Sequence, residues 1–276
     1  MKNYFIREFY KLLTGNSWKK TNCFFVLSTG RSGTATLAEL LNLSPEIESY
    51  HEPPPTLVKE RQSAFHEASI NPEKYSRIFI KARSGIMAQA KYQNKIYAET
   101  SARMTFFAPA IKEICPNARF IHLVRHPGAV VRSGMRRKWY GNNNMLDKYR
   151  INPSADDPFF HEWTTASAFE KICWYWNAYN NFGLQFGATI PAERILLLKA
   201  EDLFKGKAKT LKRLYQFIGV ECPSHDLIET VLKRKVNHQV KGQFPVFAKW
   251  EESDYVKLLA IAGKTMASLE YPLENG

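Results

Sequence analysis

The sequence predicts a single α/β domain in which a central parallel β-sheet is flanked by helices on both faces. Three observations lead to this fold class. Short apolar runs recur along the chain, stretches with apolar residues at helical spacing separate them, and a glycine-rich turn joins the first run to the first helix. Strands that alternate with helices form parallel sheets covered on both faces, and such sheets bind ligands at the carboxyl ends of their strands.

Four apolar runs are the predicted strands, and a helical pattern follows each of them. They are CFFVL (Cys23–Leu27), KIYAE (residues 95–99), RFIHLV (residues 119–124) and RILLL (residues 194–198). The helix after the fourth strand is predicted as one element with Leu203, Leu211 and Leu214 on one side. Residues 139–160 show no periodicity and are rich in turn formers and aromatic residues, which is typical of a lid or an acceptor-binding loop.

Composition limits the classes of function. Apolar residues make up 45% of the chain, so a packed core is expected, and a net charge of +13 indicates an anionic partner such as a nucleic acid, a membrane surface or a phosphorylated small molecule. The four cysteines form no C-x-x-C pair, which excludes a zinc ribbon and favours a reducing, cytoplasmic location. Residues 1–20 are predicted to be an amphipathic arm packed on a domain of residues 21–276, with a membrane-surface role as the alternative. No run is long enough to span a membrane.

The strongest local signal is the loop STGRSGTAT (residues 28–36) between the first strand and the first helix. Glycines permit a tight turn whose backbone N–H groups can cradle a phosphate-like anion at the helix N-terminus. The alternative is an ordinary glycine-rich turn. The loop is not a Walker A motif, because no Lys follows Gly33.

A second group of residues follows the third strand in RHPGAVVRS. Arg125 leaves the strand end as a ligand for an anion, and Ser133 lies two turns along the next helix, where its hydroxyl can reach the same anion. Arg132, Arg136 and Arg137 add positive charge nearby. A solvated basic helix face with one structural arginine is the alternative interpretation.

These two motifs resemble those of the sulfotransferases that use 3′-phosphoadenosine 5′-phosphosulfate (PAPS). STGRSGTAT is similar to their 5′-phosphosulfate loop, RHPGAVVRS to their 3′-phosphate motif, and the resemblance runs from about Asn22 to Val220. Glu52, in YHEPP, places the chain nearer the carbohydrate and tyrosyl-protein enzymes, which use a Glu, than the phenol and steroid enzymes with a catalytic His. The resemblance implies a P-loop-like domain.

The resemblance also implies a function and a set of site residues. The expected reaction moves a sulfo group from PAPS to a hydroxyl, or alternatively an amine, of a small-molecule or carbohydrate acceptor and releases adenosine 3′,5′-bisphosphate without a metal. Arg31 and Glu52 are the expected catalytic residues, with Glu99 and then His51 as alternative bases. The expected donor-binding residues are Gly30, Arg31, Ser32, Gly33, Thr34, Ala35, Thr36, Arg125, Ser133 and, more weakly, Lys241.

One segment departs from the family pattern. Many relatives have Glu-Lys-Thr or Glu-Lys-Ser and a Pro after the second predicted strand, whereas this chain has Glu99-Thr100-Ser101-Ala102. The sequence therefore assigns no role to this segment.

Two other functions remain open at this stage. A small-molecule kinase or phosphatase could use the glycine loop, although the loop Lys and the metal-binding carboxylate are missing. A nucleic-acid-binding protein would suit the charge, but the sequence has no known nucleic-acid-binding motif. His122 and His126 would lie too far apart on a strand to share a metal, and Trp174, Tyr175 and Trp176 are expected to anchor a buried helix, with adenine stacking as the alternative.

Overall fold

The computed structural model describes residues 8–9, 12, 15–141, 146–234 and 243–273. Five parallel strands form one sheet in the order β2-β3-β1-β4-β5. The strands are β1 (Cys23–Leu27), β2 (Ile47–Tyr50), β3 (Ile96–Glu99), β4 (Ala118–Val124) and β5 (Ile195–Lys199). The predicted α/β fold with a parallel central sheet is confirmed.

Helices cover the sheet on both faces. They are α1 (Thr34–Leu41), α2 (Glu60–Glu67), α3 (Pro72–Tyr92), α4 (Ala108–Ile114), α5 (Pro127–Arg136), α6 (Ala168–Gly187), α7 (Ala200–Phe204), α8 (Ala208–Ile218), α9 (His225–Lys233) and α10 (Glu252–Ser268). A 3-10 helix, Ala102–Phe107, connects β3 to α4.

Side chains alternate between the two faces of the sheet and form two apolar layers. Phe25 of β1 and Phe120 of β4 pack into the layer that contains α3 and α6, whereas Phe24 and Ile121 pack into the layer that contains α1 and α8. All five residues of β1 are buried, as expected for a central strand covered on both faces. The core therefore holds the carboxyl end of β1, and the loop that follows it, in a fixed position.

Two predictions about the elements are wrong. Strand β2 was not among the predicted strands, and Glu52 lies just after it, at the edge of the sheet. The single helix expected after the fourth strand is two helices, α7 and α8. The chain breaks between them at Gly206, whose φ of 64° is the left-handed conformation that glycine adopts at little cost.

The predicted N-terminal arm lies largely outside the described residues. Its end, Ser17–Lys20, is a 3-10 helix in which Trp18 is buried in the core layer of α3. Within the described residues, no helix is both long and apolar enough to cross a membrane.

Candidate active site

A polar cavity of about 590 Å³ opens at the carboxyl ends of the strands. The chain enters it after β1 at Gly30, after β2 at His51 and after β4 at Arg125. Its walls also include residues from α2, from the 3-10 helix after β3 and from residues 137–150. The cavity lies where parallel sheets usually bind their ligands.

The glycine loop presents the N-terminus of α1 to this cavity. Gly33 caps the helix with a φ of 90°, and no side chain hydrogen bonds to the first-turn amides. Thr34, Ala35 and Thr36 line the cavity, so their amides are in position to donate to an anion. A Cβ at Gly33 would come within 1.8 Å of the Phe204 ring, which requires glycine at this position.

The hydroxyl groups of the loop stabilise it from within. Ser28 Oγ donates to the Leu123 carbonyl at 2.7 Å, and the Thr29 and Ser32 hydroxyls are 2.5 Å apart. Ser32 is completely buried, so its side chain faces the protein and not the cavity. A donor-binding role for Ser32 through its backbone amide stays a prediction.

Arg31, Arg125 and Ser133 meet at one side of the cavity. Arg31 Nε donates to Ser133 Oγ at 3.0 Å, and Arg125 Nη1 donates to the Arg31 carbonyl at 2.8 Å. Burial, followed by the nearby charges of Arg137 and Arg125, lowers the pKa of Arg31 to about 10. Arg31 remains a cation at neutral pH, and an anion placed among these three arginines would relieve their repulsion.

Glu52 faces the cavity as an ion pair. Its Oε2 lies 2.8 Å from Arg103 Nη2, and about a third of its side chain is exposed. The backbone of Glu52 has a φ of 49°, a left-handed conformation that is uncommon for a residue with a side chain. Arg103 therefore fixes the direction of a carboxylate that still reaches the cavity.

His51 lines the same wall. Its Nδ1 lies 3.0 Å from the Thr100 carbonyl. A carbonyl oxygen can only accept, so in the neutral imidazole Nδ1 carries the proton and Nε2 has the lone pair. His51 remains a possible second proton acceptor beside Glu52.

Glu99, the first alternative base, is not at the cavity. Its carboxylate accepts from Arg83 Nε at 2.7 Å, from Arg83 Nη2 at 2.9 Å and from the Tyr97 hydroxyl at 2.8 Å. The side chains of Glu99 and Arg83 have no exposed area. The expectation that Glu99 competes for the role of base is therefore corrected: this carboxylate forms a buried ion pair and cannot reach a substrate.

The aromatic residues of α6 are buried as predicted. Trp174, Tyr175 and Trp176 are each at most 2% exposed. Trp176 Nε1 donates to the Arg125 carbonyl at 2.8 Å, and the Tyr175 hydroxyl accepts from the Gly30 amide at 3.1 Å. This helix thereby contacts both the glycine loop and the end of β4, and Tyr175 also lines the cavity.

Other predicted residues lie elsewhere. Lys241 is outside the described residues. His122 is buried against Asn180, whereas His126 caps α5 and its backbone amide donates to Glu201. No group of three or more His, Cys, Asp or Glu residues within the described ranges is arranged to hold a metal ion.

Four arginines that line the cavity were not predicted: Arg61, Arg103, Arg150 and Arg234. Arg103 pairs with Glu52, Arg150 lies with its guanidinium 4.0 Å from the centre of the Trp139 ring, and Arg61 donates to the Tyr149 carbonyl. Arg61 and Arg150 are each 7% exposed. No local motif marks these residues, because they reach the cavity through tertiary contacts.

A second cavity, of about 470 Å³, adjoins the first. Arg125 and Phe204 line both cavities, and the second is completed mainly by residues of α5 and by Phe247. An elongated ligand could extend from the glycine loop past Arg125 into this space.

Comparisons with known proteins agree with this geometry. A sequence model of the sulfotransferase family matches residues 23–224, and no curated protein matches the chain. Among solved structures, the sulfotransferase domain from the curacin biosynthetic pathway is 18% identical with a TM-score of 0.57, covering 92% of this chain and 99% of that one. A sulfotransferase from Mycobacterium avium is 12% identical with a TM-score of 0.56, covering 98% of this chain and 82% of that one.

A sulfotransferase from Alicyclobacillus acidocaldarius is 14% identical with a TM-score of 0.51, covering 91% of this chain and 94% of that one. At these identities the solved structures establish the fold alone. The family match, which spans well over half of the sequence, establishes more: the chain belongs to the sulfotransferase family.

Proposed function

We propose that this sulfotransferase uses PAPS as its donor and transfers the sulfo group to a hydroxyl, or alternatively an amine, of a small-molecule or carbohydrate acceptor. The observation that carries the proposal is the meeting of Arg31, Arg125 and Ser133 beside the uncapped N-terminus of α1. Two motifs far apart in the sequence thus form one anion-binding surface. Adenosine 3′,5′-bisphosphate is the expected product.

The residues present fit a donor that carries anionic groups at both ends. Residues Thr34 to Thr36 line the cavity at the N-terminus of α1, where backbone amides would suit the 5′-phosphosulfate. Arg125 and Ser133 suit the 3′-phosphate, since a guanidinium and a hydroxyl both donate to phosphate oxygens. The second cavity, which shares Arg125 with the first, offers space for the nucleoside between them.

We assign to Arg31 the role of lowering the activation barrier of sulfo transfer. Bound PAPS would supply the sulfo group, whose bond to the bridging oxygen of the 5′-phosphate breaks as its bond to the acceptor oxygen forms. Arg31 would stabilise the negative charge that grows on that bridging oxygen. A cation held in place beforehand by Ser133 needs little reorganisation during the reaction.

Glu52 is the proposed general base. The attacking hydroxyl must lose its proton as the new bond forms, and Glu52 is the carboxylate on the cavity wall. Its pairing with Arg103 keeps it oriented toward the cavity. His51, with a lone pair on Nε2, is the alternative acceptor of this proton.

The donor assignment is tested by isothermal titration calorimetry with adenosine 3′,5′-bisphosphate, adenosine 5′-monophosphate and ATP, each with and without magnesium. We expect the bisphosphate to bind most tightly and independently of magnesium. Arg125→Ala should weaken its binding by roughly ten- to a hundredfold, since a charge-assisted bond is worth ~1.5 to 3 kcal/mol.

Arg77→Ala is the matched control, because it removes one positive charge from an exposed helix face away from the cavity. Arg125→Lys separates loss of charge from loss of the hydrogen bond to the Arg31 carbonyl. Tighter, magnesium-dependent binding of ATP would instead support the kinase alternative, and an unchanged affinity in Arg125→Ala would remove Arg125 from the donor site.

A further inference from the structure

The first cavity carries more positive charge than a PAPS donor needs. Seven arginines line it, against one carboxylate, that of Glu52. The arginines are Arg31, Arg61, Arg103, Arg125, Arg137, Arg150 and Arg234. Six of these arginines form two groups of three, and Arg234 belongs to neither group.

Arg31, Arg125 and Arg137 form the donor group. The charges of Arg137 and Arg125 both act on Arg31, so the three guanidinium groups lie close together. They are adjacent to the glycine loop and Ser133, where the proposed function places the donor phosphates.

Arg61, Arg103 and Arg150 form a second group on the Glu52 side of the cavity, which we call the acceptor group. Arg103 pairs with Glu52 at 2.8 Å, and Arg150 pairs with Asp147 at 2.5 Å. Three arginines therefore face two carboxylates. One positive charge remains without a counterion among the described residues, and it belongs to Arg61.

Arg61 is an unusual residue for a protein interior. It is only 7% exposed, and its Nε and Nη2 donate to the Tyr149 carbonyl at 3.2 and 2.7 Å. No carboxylate of the described chain lies within ion-pair distance of it, and its Nη1 has no hydrogen-bond partner there. Burying a cation without an ion-pair partner is costly, so a bound anion beside Arg61 would be favoured.

The surroundings of Arg61 indicate what kind of molecule carries that anion. Glu52, the proposed base, is near enough to act on the charge of Arg61. Val58, Leu146 and Trp139 supply apolar surface to the same cavity. A ligand there would place a hydroxyl at Glu52, a negative group at Arg61 and an apolar body between them.

From this arrangement we infer that the acceptor is a small hydroxylated molecule with one anionic group, a carboxylate or a phosphate or sulfate ester, which Arg61 binds. The inference rests on the proposed function, because it assigns the acceptor of the same site. Arg61 orients the acceptor and determines its charge, while Glu52 receives the proton of its hydroxyl. A neutral acceptor would leave Arg61 buried and unpaired, which is a strong basis for discrimination.

The test compares acceptors that carry an anionic group with neutral partners that lack it. Para-hydroxyphenylacetate is compared with para-hydroxyphenylacetamide, and the sulfate and phosphate monoesters of ethylene glycol are compared with ethylene glycol itself. Sulfo transfer from PAPS is followed by mass spectrometry. Acceptor binding to the protein saturated with the bisphosphate product is measured by calorimetry, which does not require turnover.

We expect each anionic acceptor to exceed its neutral partner by roughly tenfold or more in kcat/KM and in affinity, as loss of a charge-assisted bond implies. Arg61→Met should reduce this ratio to near one, and Arg61→Lys should retain part of it. Arg77→Ala, the surface control, should leave the ratio unchanged. Comparison of the carboxylate with the phosphate and sulfate monoesters shows which anionic group the site prefers.

Equal use of charged and neutral acceptors by the unmodified protein would overturn the inference and leave the proposed function intact. So would a charge preference that persists in Arg61→Met. No sulfonated product in any arm, with no binding of the bisphosphate, would contradict the proposed function itself. If Arg61→Met does not fold, the comparison of para-hydroxyphenylacetate with para-hydroxyphenylacetamide in the unmodified protein still tests the inference.

Discussion

The guanidinium of Arg31 donates from Nε to the hydroxyl of Ser133 at 3.0 Å, which joins the glycine loop to the helix that follows β4. The two motifs were predicted as separate ligands for the two ends of the donor. Their direct contact gives Ser133 a second proposed role beside binding of the donor: its hydroxyl fixes the orientation of Arg31, the proposed catalytic arginine.

This contact predicts that Arg31 and Ser133 are coupled in turnover. Arg31→Ala should lower kcat by ~10² or more, the loss typical of removing one preorganised donor. Ser133→Ala should lower kcat/KM by roughly tenfold in the natural protein and much less when Arg31 is already Ala, as a double-mutant cycle would measure. The same loss in both backgrounds would mean that Ser133 acts on the donor alone. An Arg31→Ala variant with full kcat and weaker PAPS binding would make Arg31 a binding residue only.

Glu52 and Glu99 should respond in different ways to the same substitution. Glu52→Gln should lower kcat by ~10² to 10⁴ at neutral pH while the bisphosphate still binds, since a general base contributes that much. Glu99→Gln should instead lower stability by ~3 to 5 kcal/mol, because it leaves Arg83 buried without its partner. Kinetics across pH and thermal melts of both variants separate the two effects. His51→Gln tests the other candidate: if it abolishes turnover while Glu52→Gln does not, the base is His51.

Acceptor choice is predicted to depend on residues 139–160. Leu146, from this segment, lines the cavity and is 46% exposed. Leu146→Ala should raise the acceptor KM by roughly three- to tenfold through lost apolar contact, with no change in the affinity for the bisphosphate. Phe160→Ala is the matched control, since Phe160 is comparably exposed but does not line the cavity. Equal effects of the two substitutions would contradict a direct contact between Leu146 and the acceptor.

His122 should make the fold sensitive to acid. Burial lowers its pKa from 6.5 to about 4, and the hydrogen bond with Asn180 opposes this shift only in part. Between these two values the unfolded chain binds a proton that the folded chain does not, so stability falls as pH decreases from 6.5 to 4. The total loss from this residue is about 3 kcal/mol.

Urea unfolding of the natural protein and of His122→Gln at several pH values measures this contribution. His122→Gln should lose less stability than the natural protein as pH decreases from 6.5 to 4. His225→Gln, at an exposed position, serves as the control. Parallel pH dependence in all three proteins would show that the pKa of His122 does not differ between the folded and the unfolded chain.

Local signals account for most of what the sequence predicted correctly. The apolar runs that became β1, β3, β4 and β5 are flanked by clear turn residues, and the glycine loop is recognisable without its neighbours. Strand β2 was missed because Ile47–Tyr50 covers only four positions and holds two adjacent polar residues, so neither an apolar run nor an alternating pattern marks it. A pattern so short does not distinguish a strand from a loop.

The acceptor side of the cavity could not be predicted in the same way. Arg61 takes its place through the carbonyl of Tyr149, 88 residues away, and Arg103 through an ion pair with Glu52. Contacts of this kind depend on the packing of α2 and of residues 139–160 against the sheet. Glu99 shows the converse, since its position at a strand end suggested a catalytic carboxylate, whereas the fold pairs it with Arg83 in the core.

Every prediction about the cavity depends on the proposal that this chain transfers a sulfo group from PAPS with Arg31 and Glu52 at the reacting atoms. The most direct measurement is mass spectrometry after incubation with PAPS and a mixed library of hydroxyl and amine acceptors, in the presence of a magnesium chelator. We expect products that are heavier than the acceptors by one sulfo group, together with an equal amount of adenosine 3′,5′-bisphosphate. Both should decrease strongly in Arg31→Ala and in Glu52→Gln. Absence of any sulfonated product, or full activity in both variants, would contradict the proposal.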